Sequence, residues 1–136
     1  MPESIKVPRA ILSKMMEEAR ADQLQECCGL LVGRGDEVTG IFAARNALAS
    51  ATAYEIAPEE LFVLFRKIRA SGLELAGIYH SHPRGENSPS RTDLERAYYP
   101  DAAYFIVSPL PEAAKPVRAF RIRDSMPSEL HISIIE

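Results

Sequence analysis

Apolar residues recur at helical spacing in two stretches of the chain. Ile11, Leu12, Met15, Met16 and Ala19 follow Pro8 as one stripe, with Lys14, Glu17, Glu18 and Arg20 on the wet face. Leu61, Leu64, Phe65 and Ile68 make the second. It opens at Ala57-Pro58-Glu59-Glu60, where proline and acids suit a first turn, and it stops at Gly72. A third, shorter helix is predicted over about residues 92–99, ended by Pro100. Short apolar runs at 29–32, 38–44, 73–81, 103–108, 117–123 and 130–135 predict strands. Gly33-Arg34-Gly35-Asp36 is a turn that joins the first two as a hairpin. No helix follows its Gly-x-Gly, so it is not a nucleotide loop.

Residues 1–7 read as either an edge strand or a tail, 45–52 as a small, polar loop and 54–56 as a brief extended segment. The run 73–81 is apolar on both faces and is therefore expected at the centre of a sheet. Strict alternation there puts Ala76 and Ile78 on one face with His80 and His82, and Leu75, Gly77 and Tyr79 on the other. Helices and strands interleave while several strands are hairpin neighbours, which predicts a mixed α/β sheet. One domain over residues 1–136 is expected, with no internal repeat.

Composition narrows the function classes. Hydrophobic content of 46% with 26% charged residues is that of an ordinary globular protein. A net charge of −3, with scattered basic residues, argues against a nucleic-acid binder. No signal peptide is read at the N-terminus, and no apolar run reaches the ~18–20 residues of a membrane span. A cytoplasmic protein without membrane contact is the expectation. Cys27 and Cys28 are adjacent, which suits neither zinc spacing nor an ordinary disulfide, so two thiols buried at a strand start are expected.

The candidate chemistry lies at the end of the central strand. Two of the three histidines stand there in Gly77-Ile78-Tyr79-His80-Ser81-His82-Pro83, and Ser88-Pro89-Ser90-Arg91-Thr92-Asp93 follows. A lone histidine is usually structural, but a His-x-His pair closing an apolar strand aims two imidazoles one way. Asp93, ten residues past Pro83, opens the next helix. His80, His82 and Asp93 thus give three ligands on converging elements, leaving a fourth position open as in catalytic zinc sites. Ser90-x-x-Asp93 is also a capping box, and both readings are compatible. His131, alternating with Leu130 and Ile132, reads as a half-exposed strand residue.

His80-Ser81-His82-Pro83, six intervening residues and then Ser90-Arg91-Thr92-Asp93 resembles the JAMM motif of the JAB/MPN metallopeptidases. That motif also wants an upstream glutamate beside a Cys-Gly-Leu-Leu strand, and Glu26-Cys27-Cys28-Gly29-Leu30-Leu31 matches it. By itself Glu26 would be a solvated loop residue; its place in the motif singles it out. The resemblance covers nearly the whole chain. It implies the JAB/MPN fold, a curved mixed β-sheet flanked by helices and similar to the cytidine-deaminase-like architecture. It further implies one zinc (Zn2+) per chain on His80, His82 and Asp93, Glu26 as general base and Ser90 as oxyanion donor.

The implied activity is hydrolysis of an amide bond at the C-terminus of a ubiquitin-like or sulfur-carrier protein, for example with release of cysteine. The bare domain, with six residues between Pro83 and Ser90, looks like the short stand-alone bacterial members. Two other classes stand beside it. A zinc deaminase would need H-x-E and P-C-x-x-C, which are missing. A non-catalytic MPN interaction domain typically lacks the ligands present here. A homodimer, through helices or a strand edge, is compatible with the sequence.

Overall fold

Both amphipathic stripes are helices, packed on opposite faces of one sheet. The structure, a computed structural model, describes residues 3–136. Its elements are β1 (Ser4–Pro8), α1 (Arg9–Ala21), β2 (Cys28–Arg34), β3 (Glu37–Ala44), α2 (Pro58–Ser71), β4 (Glu74–Ser81), α3 (Arg91–Glu95), β5 (Ala103–Val107), β6 (Val117–Arg123) and β7 (Met126–Ile135). Pro58 stands at the start of α2, and Gly72 ends it at φ 75°, its N–H donating to the Arg69 carbonyl. Among the described residues, no helix is long and apolar enough to cross a membrane.

The strand order is β1-β3-β2-β4-β5-β6-β7, and β7 returns to β1, so the sheet closes as a barrel rather than staying an open curved sheet. It is mixed as expected: β2 pairs antiparallel with β3 and β4, whereas β4 pairs parallel with β5. Closure comes from the N-terminal strand, whose expected residues 1 and 2 lie outside the described part. β1 runs parallel to β7 from Ser4↔His131 to Pro8↔Ile135, and it meets β3 at Lys6↔Glu37. It is thereby paired on both sides instead of lying at an edge.

Two hydrophobic clusters result. Met15 and Ala19 of α1 pack with Leu31, Tyr79, Phe105 and Val107, while Leu64 and Ile68 of α2 pack with Leu30, Ile78, Tyr104 and Ile106. Neighbouring residues along each central strand go to opposite clusters, which is why 75–79 and 103–107 carry no charged residue. Tyr79 Oη also donates to Glu18 Oε1 at 2.7 Å, tying α1 to the central strand.

Three expectations need correction. The alternation predicted for β4 breaks at a bulge: Leu31 pairs with Gly77 but Val32 with Leu75. The extra residue, Ala76, joins the α1 cluster and leaves the face of Ile78 and His80. The third helix ends at Glu95, not 99. Pro100 disfavours helical backbone at Tyr99, whose N–H instead donates to Tyr104 Oη at 2.9 Å. The last strand begins at Met126, four residues earlier than predicted. Asp124 and Ser125, at φ 52° and 59°, make a two-residue hairpin turn, and Pro127 had disguised the strand that follows.

Gly29 of β2 is closely packed against its neighbouring strands. A Cβ there would strike the Phe42 carbonyl oxygen and the Tyr79 ring. Gly29→Ala is expected to cost about 1–3 kcal/mol by overpacking. Urea unfolding should show a lower midpoint at unchanged slope; an unchanged midpoint would mean that the strands part without cost.

Candidate metal centre

β4 delivers the two histidines. Its parallel partner β5 continues the ladder past the strand end, with His82 N–H donating to the Val107 carbonyl at 2.9 Å. The chain therefore stays extended from His80 to His82 and both imidazoles project to one side. Ser81 between them faces the other way. Its N–H donates to the Cys27 carbonyl at 3.0 Å, and its Oγ accepts from Cys27 N–H at 2.9 Å. This double link anchors the approach to β2, where Glu26 sits.

Asp93 comes from α3. The capping box is present: Ser90 Oγ accepts from Asp93 N–H at 3.0 Å, and Ser90 N–H donates to Asp93 Oδ2 at 3.0 Å. The same Oδ2 lies 3.1 Å from His80 Nε2 and 3.1 Å from His82 Nε2. The two Nε2 atoms are themselves 3.1 Å apart. Three donor atoms of the right kind thus form a nearly equilateral triangle. A tetrahedral zinc with bonds of about 2.0–2.1 Å needs ligand atoms about 3.3 Å apart, so a shift of a few tenths of an ångström would accommodate it.

Orientation around the triangle favours lone pairs pointing inward. His82 Nδ1 lies 2.7 Å from the Glu86 carbonyl, which can only accept, so Nδ1 carries the hydrogen and Nε2 is free to ligate. His80, 1% exposed, lies under the Tyr54 ring, with centroids 4.5 Å apart and planes at 22°. Burial lowers the His80 pKa. Burial would also lower His82, but the hydrogen bonds to Asp93 and the Glu86 carbonyl, with the charges of Asp93 and Glu26, leave it raised. Burial would raise Asp93, yet the hydrogen bonds of both histidines hold it well below the usual carboxylate range.

Glu26 is not a solvated loop residue. It is 3% exposed, and its Oε1 is buried without a hydrogen-bond partner. Burial pushes its carboxyl up to about 8, His82 pulling it down and Asp93 adding to the rise. Such a group can exchange a proton near neutral pH. Ser90 Oγ uses an acceptor site in the cap and keeps its own hydrogen to donate. The thiols remain free; Cys28 is buried and pushed up to about 12 by that burial, then by the charge of Cys27. His131 is exposed on β7 beside Ser4 and takes no part in the cluster.

Tyr54 and the Glu86 carbonyl escaped the sequence reading. Tyr54 sits in the 45–57 connection, and only a lone aromatic in a small, polar stretch could have signalled it. It also lines a cavity of about 420 Å³ that runs from Asp93 between Ile78, Leu61, Tyr99 and Tyr104. An apolar hollow beside a polar cluster is the usual form of a substrate site.

Comparison with known proteins places relatives beside this geometry. The family described as prokaryotic homologs of the JAB domain matches residues 8–123. A desampylase of Haloferax volcanii is 41% identical over 103 residues, 74% of either chain. A CysO-cysteine peptidase of Mycobacterium tuberculosis is 32% identical over 128 residues, 93% of this chain and 88% of that one. The solution structure of a protein from Desulfitobacterium hafniense has a TM-score of 0.84 at 31% identity, covering 97% of this chain and 93% of that one.

The carboxyl of Glu26 makes a measurable pH signature in the metal-free protein. Its pKa is about 8 folded, against 4.5 ordinarily. A carboxyl raised in this way favours folding only while protonated. Its contribution is complete below about 4.5 and is lost as pH climbs through about 8. Urea unfolding in chelator should show wild-type stability falling across that window relative to Glu26→Gln, with the variant the more stable at its upper end. Parallel curves would place Glu26 in water.

Proposed function

Because the chain belongs to the prokaryotic homologs of the JAB domain, we propose that it is a zinc-dependent peptidase or isopeptidase of the JAMM type. Its substrate is the C-terminal amide bond of a ubiquitin-like or sulfur-carrier protein, and release of cysteine from such a carrier is one form of the reaction. The observation that carries this reading is the triangle of His80 Nε2, His82 Nε2 and Asp93 Oδ2, with a buried, partnerless carboxyl nearby. The names of the relatives, a desampylase and a CysO-cysteine peptidase, support a protein conjugate or carrier as substrate.

His80, His82 and Asp93 would hold one zinc. Bound there, zinc supplies a Lewis acid and lowers the pKa of a water toward about 7. Glu26 takes the proton from the attacking water and passes it to the leaving amine, a task suited to a buried carboxyl whose Oε1 has no other partner. Ser90 donates its free hydroxyl hydrogen to the developing oxyanion. The wall formed by Tyr54 shields His80 from water on the cavity side.

Metal content tests the site first. Wild-type protein should hold one zinc per chain and His82→Ala none; wild type without metal at neutral pH would leave the interaction-domain reading in front. Glu26→Gln should keep zinc while cleavage of a ubiquitin-like carrier with a C-terminal extension drops about 10²–10⁴-fold. Full activity in that variant would remove Glu26 from the mechanism. Ser90→Ala should lower turnover by about 10²–10³-fold and cost about 1 kcal/mol of stability through the lost cap. Loss of stability without loss of turnover would make Ser90 a cap alone.

A further inference from the structure

Glu26 raises a question of positioning, because nothing holds its carboxyl directly. Its Oε1 has no hydrogen-bond partner, so the hydrogen bonds that fix this buried residue are those of its backbone. The peptide N–H donates to the Ser50 carbonyl at 2.7 Å, and the carbonyl accepts from Asn46 Nδ2 at 3.0 Å. Both contacts come from the 45–52 stretch that the sequence presents as a small, polar loop.

Asn46 organises that connection. It stands two residues beyond β3 and is 5% exposed. Besides the Glu26 carbonyl, its Nδ2 reaches the Ala53 carbonyl at 3.0 Å and, more distantly, that of Ser50 at 3.4 Å. Its Oδ1 accepts from Leu48 N–H at 3.0 Å and Glu55 N–H at 3.2 Å. The amide's two hydrogens and two lone pairs are all in use, leaving it one orientation. The bonds to residues 53 and 55 bracket Tyr54, the residue stacked on His80.

We propose that Asn46 is a positioning residue that holds Glu26 and the Tyr54 ring in register with the His80-His82-Asp93 cluster. The inference rests on Glu26 acting as the base. A side chain that is itself nine-tenths buried and fully bonded has no freedom left, and it passes that rigidity to a catalytic group that has no bond of its own. Displacement of a reacting group by about 1 Å costs on the order of 10²-fold in rate.

Asn46→Asp isolates the effect, because it keeps the shape and the acceptor side but sets an oxygen against the carbonyls of Glu26 and Ala53. In the zinc-free variant, hydrogen exchange at the Glu26, Leu48 and Glu55 amides should quicken while Tyr79 and Phe105 stay protected. Loaded with zinc, it should keep one metal per chain and a KM within about threefold, with kcat down about 10²-fold. In a Glu26→Gln background the same substitution should cost less than about threefold, because groups acting as one unit are not additive. A merely structural role would instead multiply the two losses.

Unchanged kcat in Asn46→Asp, or losses that multiply, would overturn the proposal while leaving Glu26 as base. Full activity in Glu26→Gln alone would overturn both. Should Asn46→Asp not fold, Asn46→Ser, which keeps one donor and an acceptor, should show the same pattern with kcat down about tenfold.

Discussion

The site depends on the double link between Ser81 and Cys27. Two hydrogen bonds, from Ser81 N–H to the Cys27 carbonyl and from Cys27 N–H to Ser81 Oγ, join the end of β4 to the approach of β2. One partner lies between the two histidines and the other directly follows Glu26. A short buried serine therefore holds the side chains of Glu26, His80 and His82 in register. Because buried backbone groups must be satisfied, the link cannot relax without leaving polar atoms unpaired. The rest of the architecture serves this junction. β5 extends the ladder under His82, Gly29 makes room for the Tyr79 ring, and α3 brings Asp93 against both imidazoles.

The centre concentrates polar groups that burial disfavours. Three donor atoms that could hold a metal lie close together, a carboxyl oxygen sits without a partner and an imidazole is almost wholly covered. Such groups are tolerated only where the surrounding structure over-determines them, and they cluster where chemistry is done. Here the over-determination is visible in the two apolar clusters on either side of the sheet. The α1 cluster fixes Tyr79 and Phe105, the α2 cluster fixes Ile78 and Ile106, and His80 continues the Ile78 face to stack on Tyr54.

Much of this could be read from residue order because each part had a local cause. The stripes around Met15 and Leu64, the cap at Gly72 and the box at Ser90-x-x-Asp93 are signals within one or two turns. The His-x-His pair and Asp93 lie close enough in sequence to suggest one site. What escaped depends on partners far along the chain. The Ala76 bulge exists only against β2, the early end of α3 follows from a bond to Tyr104, and barrel closure needs β1 to meet both β3 and β7. Glu26 looked like a wet loop residue because its burial comes from other segments. Asn46 carries no periodicity and no motif, so its five side-chain hydrogen bonds are invisible until the loop is folded around it.

Barrel closure has a kinetic side. The ladder that joins β1 to β7 pairs residues 4–8 with 131–135, among the most distant contacts the chain makes. The residues of the centre lie between 26 and 93. Closing a long loop is entropically harder than closing a short one, and topologies rich in such contacts fold slowly. The hairpin β2–β3, its neighbour β4 and the α3 turn therefore have the shorter search. The seam between β1 and β7 is thus the longest loop the chain has to close, and the links within the centre are shorter ones.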